Sequence, residues 1–409
     1  MSRILYVSQY FVSADQPGGV RHWQHTRALA RAGHQVSVVT SYVQHKERTV
    51  PGRYRGRRVV HEVEDGLDVW RTYSTPGYGR DLRSRLASYG TFAWWSAVAG
   101  ARAPRPDVVV ASSPSLPSAA AAASLARARG ARFVLEVRDL WPESAVAMGL
   151  IGDGPALAAA RRLEAYCYRR ADRIVALTEG IRDGLLAAGV PAAKVALITN
   201  GVDLEIGNGS APAAAPVPAG AFVAMYVGAH GTYSSLETVL DAAADLRDAP
   251  DVRVVLVGNG DRKPALVESA RRRGLDNVAF VDPGPKREVP AWLARADACV
   301  LPYQDRALFA GALPNKAFDY LGAGRPIVAS APAGELTRMV ERAGCGVAVP
   351  PEDGPALADA IRGLAADRVG GVGTASMRER AEETGGRCEI GPGPAGGTRV
   401  GARLPRGTA

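Results

Sequence analysis

Cysteine is scarce in this sequence, and its placement serves neither a metal nor a disulfide framework. Cys167, Cys299, Cys345 and Cys388 are scattered, with no C-x-x-C and no histidine spacing suited to zinc. That usage fits a reducing cytoplasm. Long apolar runs are missing as well: no window approaches the ~20 residues that a membrane-spanning helix needs. The opening MSRILYVSQYF is a short strand-like run without the apolar core or small-residue cleavage site of a secretory leader, so a cytoplasmic chain is expected. Several motifs are absent too. SQYFVSADQPGG follows the first apolar run where a dinucleotide dehydrogenase carries G-x-G-x-x-G. No Gly-Lys dipeptide occurs, which excludes a P-loop, and neither H-E-x-x-H nor G-x-S-x-G is found. D-x-D, the usual sign of a metal-bridged nucleotide site, is missing.

What is present is a chain of 409 residues, 47% apolar and 22% charged, long for one core and comfortable for two. The formal charge of +9 favours anionic partners, but an arginine-rich composition accounts for it equally well, and nucleic acid has no other support. Short apolar runs alternate with helical patterns from RILYVS to KVALI. GNGSAPAAAPVPAGA is small, proline-rich and patternless, and reads as a boundary. The alternation restarts at FVAMYVG and runs to a helix at about residue 366. The expected fold class is therefore α/β, with two Rossmann-like domains built on parallel sheets. Residues 1–204 form the first and 222–367 the second, joined by a linker at 205–221. Residues 368–409 are rich in Gly, Arg and Pro with almost no apolar period, and are expected to stay disordered. An altered reading frame in a high-GC gene would produce such a tail.

In open α/β sheets, ligands bind outside the carboxyl ends of the strands. The glycine-rich and charged punctuation falls there repeatedly: Gly18 and Gly19 after the first strand, Arg138 and Asp139 after RFVLEV, Gly228 to Gly231 after FVAMYV, and Gly258 to Asp261 after VRVVLV. Some of these glycines are mere turns, since such loops need them. Two sheets with such loops suit one ligand held in a cleft between domains.

The ordered pieces SQYF…GGVR, GHQVSVVTS, VRDLWPES, TEGI, ITNGVD, VGNGD, FVDPGPKREVPAWLARADACVLP and LPNKAFDYLGAGRPIV resemble the family 4 glycosyltransferases over residues 1–366. RDLWPES together with LPNKAFDYLGAGRP is most similar to the branch that assembles cell-surface polysaccharides with N-acetylated amino or deoxy sugars. The resemblance implies the GT-B fold, with two facing Rossmann-like domains. It also implies a retaining, metal-independent transfer of a hexosyl or acetamidosugar unit to a hydroxyl acceptor. No cofactor is implied beyond a nucleotide-diphosphate sugar as co-substrate, UDP type favoured. Without a metal, the leaving diphosphate must be stabilised by helix N-termini and basic side chains.

The implied donor site centres on LPNKAFDYLGAGRPIV. Asn315 is expected as N-cap, with Lys316 in the first turn on the diphosphate and Asp319 on the ribose diol; the bland reading is an i,i+3 surface ion pair. Gly18 and Gly19 are expected to close backbone N–H groups over the diphosphate, assisted by Arg21. Gly258, Asn259, Gly260 and Pro283 are expected to line the nucleoside pocket, with Glu288 near the base. The family's first E-x7-E acid is replaced by Gly311, and its usual basic pair by GAHGTYSSLET, where His230 is the remaining candidate. Arg138 and Asp139 stand as catalytic candidates beside Lys316. Asp139 serves the reacting centre, pairs with Arg138 or caps LWPES, and Glu143 is an acceptor-side candidate. Many family members carry a histidine near Asp139, and this segment has none.

RDLRSRLASYGTFAWWSAVAG mixes arginine with Tyr89, Phe92, Trp94 and Trp95. It reads either as peripheral contact with a membrane bearing a lipid-linked acceptor, or as core aromatics behind a solvated arginine face. Two further readings stay open: an inactive sugar-nucleotide-binding protein of the same fold, and a sugar-nucleotide epimerase.

Overall fold

The computed structural model describes residues 1–16, 19–43, 49–76, 82–203 and 217–370, and the backbone of 387–392 and 398–403. The chain separates into two compact units, one comprising Met1–Ser13 and Gly19–Thr199 and the other running from Asn200 and including the short segment from Ala14. The break at Thr199 falls a few residues before the boundary expected from composition, and residues 205–216 of the expected linker lie outside the described residues.

The first unit is an eight-stranded sheet. Its strands are β1 (Arg3–Val7), β2 (Gln35–Ser41), β3 (Val59–Glu64), β4 (Leu67–Thr72), β5 (Val108–Ser112), β6 (Arg132–Val137), β7 (Arg173–Ala176) and β8 (Val195–Leu197). They lie in the order β3-β4-β2-β1-β5-β6-β7-β8. All neighbours are parallel except β3 and β4, an antiparallel hairpin turned at Asp65–Gly66, both in the left-handed region. That edge departs from the all-parallel sheet that the alternation implies. Helices α1 (Arg21–Arg31), α2 (Leu82–Arg102), α3 (Leu116–Arg129), α4 (Glu143–Ala147), α5 (Pro155–Arg170) and α6 (Glu179–Ala187) accompany the sheet. Apolar residues of the central strands, among them Leu5, Val109 and Leu135, share one core with Phe92 of α2 and Ala119 and Ala123 of α3.

The second unit contains β9 (Phe222–Val227), α7 (Leu236–Asp245), β10 (Val252–Val257), α8 (Lys263–Arg272), β11 (Val278–Val281), α9 (Val289–Leu293), β12 (Ala298–Pro302), α10 (Asn315–Gly322), β13 (Ile327–Ser330), α11 (Glu335–Arg342), β14 (Gly346–Val349) and α12 (Gly354–Gly370). Its six strands are wholly parallel in the order β11-β10-β9-β12-β13-β14. Such a sheet is covered on both faces, so its strands read as unbroken apolar runs. In FVAMYV, Phe222, Ala224 and Tyr226 enter the core shared with α7 and α12, while Val223 and Met225 enter the one shared with α9, α10 and α11. In the tail, β15 (Arg387–Pro392) and β16 (Thr398–Arg403) pair antiparallel, where disorder is expected from composition; the rest of 371–409 lies outside the described residues.

Both sheets reverse strand order about their first strand, β1 beside β5 and β9 beside β12. The carboxyl ends at such a reversal form a ready crevice, and several of the candidate site residues of each unit lie near it.

Candidate functional site

In the second unit the site is built on α10. Pro314 is its N-cap and offers no side-chain bond; Asn315 is the first helical residue rather than the cap expected from sequence. Ala317 and Tyr320 are buried, which turns the helix so that Lys316 and Tyr320, one turn apart, face the end of β9. The Tyr320 hydroxyl accepts from the Val227 amide at 3.0 Å and pins the helix there. Just past the helix end Gly324 takes the left-handed conformation at φ 64°, and the Arg325 amide returns to the Tyr320 carbonyl at 3.1 Å. The Gly-Ala-Gly of this stretch is thus the helix stop.

The half-buried Lys316 ammonium donates to the Tyr226 hydroxyl at 2.7 Å and lies 4.4 Å from that ring's centroid. Tyr226 in turn donates to the Ala229 carbonyl at 2.7 Å. Burial works against the Lys316 charge, but Tyr226, Tyr303 and Asp319 outweigh it and raise its pKa above the ordinary lysine value. Among the described residues the ammonium makes this one hydrogen bond, so two of its N–H groups remain for a ligand.

Asp319 does not pair with Lys316. Its Oδ2 accepts from Lys286 at 2.5 Å, with both side chains largely buried. Lys286, 33 residues away in sequence, escaped the sequence analysis because nothing local marks it. It places a second basic residue beside α10.

The loops after β9, β10 and β11 come together, as their glycines imply. The Lys263 ammonium clasps the Gly258 carbonyl at 2.8 Å, the Val281 carbonyl at 3.2 Å and Asp282 at 2.8 Å. Gly258 stands at φ +154°, and a Cβ there would lie 1.8 Å from the Gly228 carbonyl oxygen; at Gly260 it would lie 2.3 Å from that of His230. These glycines let two backbones approach each other. Asn259 turns its Oδ1 to the Gly260 amide at 2.8 Å. Gly258→Ala is therefore expected to destabilise the second unit by about 1–3 kcal/mol through overpacking, which denaturant unfolding measures; an unchanged midpoint would contradict the close approach. Pro283 is exposed on the same rim, and Glu288 folds over Gly284, where a Cβ would meet Oε2 at 1.9 Å. His230 is fully buried, its ring 6.0 Å from Tyr226 and 6.3 Å from Phe280, so it belongs to the packing and not to an open phosphate site. Gly311 closes the short 3-10 turn Ala307–Gly311.

In the first unit a buried polar cluster occupies the carboxyl ends of β1, β5 and β6. Arg21, expected to assist at a diphosphate, is buried and donates twice to Glu136 Oε1, at 2.7 and 3.1 Å. The Ser112 hydroxyl donates to Glu136 Oε2 at 2.7 Å. Burial alone would raise the Glu136 pKa; His22, Arg21 and Ser112 outweigh it and bring it down to about 2. A buried histidine, His22 of α1, joins the same cluster. Its Nδ1 lies 2.9 Å from the Tyr6 hydroxyl and its Nε2 is 3.0 Å from Arg138. Burial, with Arg138 beside it, depresses its pKa to about 3.

An imidazole held neutral in the fold charges freely once the chain unfolds. The unfolded state takes up a proton near pH 6.5 and the folded state only near pH 3, so acid favours unfolding across that window. Stability is expected to fall by up to about 1.4 kcal/mol per pH unit there. Guanidinium unfolding at several pH values measures it, and His22→Gln is expected to flatten the slope; an unchanged slope would contradict the assignment.

Asp139 accepts from the Ser144 hydroxyl at 2.9 Å and so braces α4, as in the capping alternative; burial raises its pKa. Glu143 is exposed and paired with Arg161 at 2.8 Å. Gly19 is exposed and open around its Cβ, and Gly18 lies outside the described residues. In α2, Tyr89 and Phe92 are core residues, whereas Trp94 is 68% exposed.

Residues 18–201 match the glycosyl transferase 4-like domain, and residues 221–367 match the glycosyl transferases group 1. The chain is a GT-B glycosyltransferase of the family 4 type. It is 29% identical over 348 residues to the putative colanic acid biosynthesis glycosyl transferase WcaI of Escherichia coli K12, covering 82% of this chain and 85% of that one. It is 27% identical to the probable glycosyltransferase WbjE of Pseudomonas aeruginosa, over 63% of this chain and 66% of that one. Among solved structures, the Anabaena HepE complex with UDP and glucose superposes with a TM-score of 0.65 at 17% identity, covering 93% of this chain and 95% of that one. In this glycosyltransferase, Lys316, Asp319, the Gly258–Gly260 loop and Glu288 fall at the reversal of the second sheet or on its rim. Arg138, Asp139 and the buried Glu136 cluster fall at the reversal of the first.

Proposed function

We propose that this glycosyltransferase moves a hexosyl or acetamidosugar unit from a nucleotide-diphosphate donor, of UDP type, to a hydroxyl acceptor in cell-surface polysaccharide assembly. The observation that carries the donor reading is Lys316. Its ammonium is fixed by Tyr226 at the helix start beside the sheet reversal, with two N–H groups available for a diphosphate. Asp319, with Oδ2 held by Lys286, keeps Oδ1 to accept from a ribose hydroxyl. UDP in the HepE complex and the colanic acid assignment of WcaI support the same reading.

The reaction is metal-independent and retaining in this proposal. The bond from the anomeric carbon to the β-phosphate oxygen breaks, and a bond to the acceptor oxygen forms on the same face. The hydroxyl proton passes to the leaving diphosphate, whose charge Lys316 and the start of α10 stabilise. The acceptor is assigned to the first unit. Trp94 and Leu86, exposed on one side of the arginine-bearing α2, support peripheral contact with an anionic membrane that carries a lipid-linked acceptor.

Incubation with a library of nucleotide sugars and hydroxyl acceptors tests the transfer. Turnover of a UDP-sugar with inverted anomeric configuration, or an absolute need for a divalent metal, would overturn the mechanism. Binding without turnover would favour an inactive sugar-nucleotide-binding protein, and conversion of the donor without an acceptor would favour an epimerase. Flotation with anionic liposomes, weakened by Trp94→Ala, is expected if the membrane contact holds; absence of flotation would remove it.

A further inference from the structure

Arg138 and His22 form a pairing in which a strongly basic group leans on a neutral one. The guanidinium has no acceptor role, so it donates to His22 Nε2 at 3.0 Å. Nε2 therefore carries no proton, Nδ1 does, and that proton points to the Tyr6 hydroxyl at 2.9 Å. His22 is 5% exposed, and Tyr6 is buried behind it. The main chain is held too, since the Arg138 amide donates to the Ser113 hydroxyl at 3.0 Å.

The carboxylates facing this pair are already engaged. Both Glu136 oxygens are taken, Oε1 by Arg21 and Oε2 by Ser112, and Asp139 accepts from Ser144. His25 Nδ1, the remaining titratable neighbour, lies 3.8 Å from Glu136 Oε1. With His22 neutral, two guanidinium charges face one carboxylate. Arg138 is an exposed residue, and among the described residues its guanidinium makes one hydrogen bond, to His22. An exposed arginine ordinarily spends entropy to hold one geometry. Here a buried imidazole fixes the fork at the sheet reversal, where a ligand is expected.

We propose that Arg138 binds an anionic oxygen group of the acceptor, a phosphate or a carboxylate, and that His22 is the positioning residue that aims it. This deepens the reading that the first unit takes the acceptor, and it names that acceptor as acidic. A planar guanidinium with N–H groups to spare matches two oxygens of such a group at once.

Glucose 1-phosphate, glucuronate and glucose serve as probes, titrated by calorimetry into the full chain carrying Lys316→Ala, which removes the proposed diphosphate site. One or both charged sugars are expected to bind measurably more tightly than glucose, and the stronger of the two tells phosphate from carboxylate. Arg138→Met is expected to weaken that binding about 10–100-fold, the scale of a charge-assisted hydrogen bond. His22→Leu is expected to weaken it in the same direction, and His22→Gln, whose amide oxygen accepts from a guanidinium, to restore it. Unfolding midpoints of each variant separate this from loss of fold. Equal binding of glucose, or binding untouched by Arg138→Met, would overturn the anion site. Equal effects of His22→Leu and His22→Gln would overturn the positioning role. UDP titration of the unsubstituted protein tests the donor reading separately, so either can fail alone.

Discussion

Lys316→Ala is expected to lower turnover about 10²–10³-fold, the scale for losing one preorganised donor to a developing oxyanion. The effect is placed on turnover because the charge on the diphosphate grows as the sugar leaves it. The ammonium is set before substrate arrives: Tyr226 holds it by a hydrogen bond and by its ring face, and Tyr320 locks the helix to the end of β9. Tyr226→Phe keeps the ring and removes the hydroxyl, so a smaller loss is expected from it than from Lys316→Ala. Steady-state kinetics with a UDP-sugar measure both. Turnover of Lys316→Ala within threefold of the unsubstituted enzyme would remove Lys316 from the site.

The second large effect is on stability. Glu136→Ala leaves the buried Arg21 guanidinium without its carboxylate, and breaking a buried pair from one side costs about 3–5 kcal/mol. Both side chains are almost wholly enclosed, at 6% and 5% exposure, so solvent screening offers little relief. The Ser112 hydroxyl loses its shorter hydrogen bond as well, keeping the Ser113 carbonyl at 3.3 Å. Replacing both partners, as in Arg21→Met with Glu136→Leu, is expected to be less damaging than Glu136→Ala alone, because no charge is left stranded. Urea unfolding followed by far-UV circular dichroism measures the first unit's loss. A shift below about 1 kcal/mol for Glu136→Ala would show that Arg21 finds water or another partner.

The fold was legible because its rules are local. Apolar runs such as FVAMYV and VRVVLV, broken by glycine and followed by helical spacing, lead directly to parallel sheets covered on both faces. The helix of LPNKAFDYLGAGRPIV was legible for the same reason, with Gly324 stopping it. Side-chain partners were not legible. Lys286 meets Asp319 across 33 residues, and His22 meets Arg138 across 116, and no period in the sequence carries such pairings. Arg21 illustrates the consequence. Its place in the first turn of a helix after a glycine loop suited a phosphate, yet Glu136, 115 residues on, holds it inside. Gly258 shows a different limit: its glycine marks a close approach to the Gly228 backbone, which sequence alone could not tell from a ligand loop.

In the proposed site, α10 and its neighbours bind a nucleotide diphosphate through Lys316. Calorimetric titration of UDP and of uridine into the enzyme and into Lys316→Ala tests it most directly. UDP is expected to bind the enzyme much more tightly than uridine does, and Lys316→Ala to erase most of that difference while leaving uridine unaffected. Equal affinity for UDP and uridine in the enzyme, or a preference for UDP that survives Lys316→Ala intact, would contradict it.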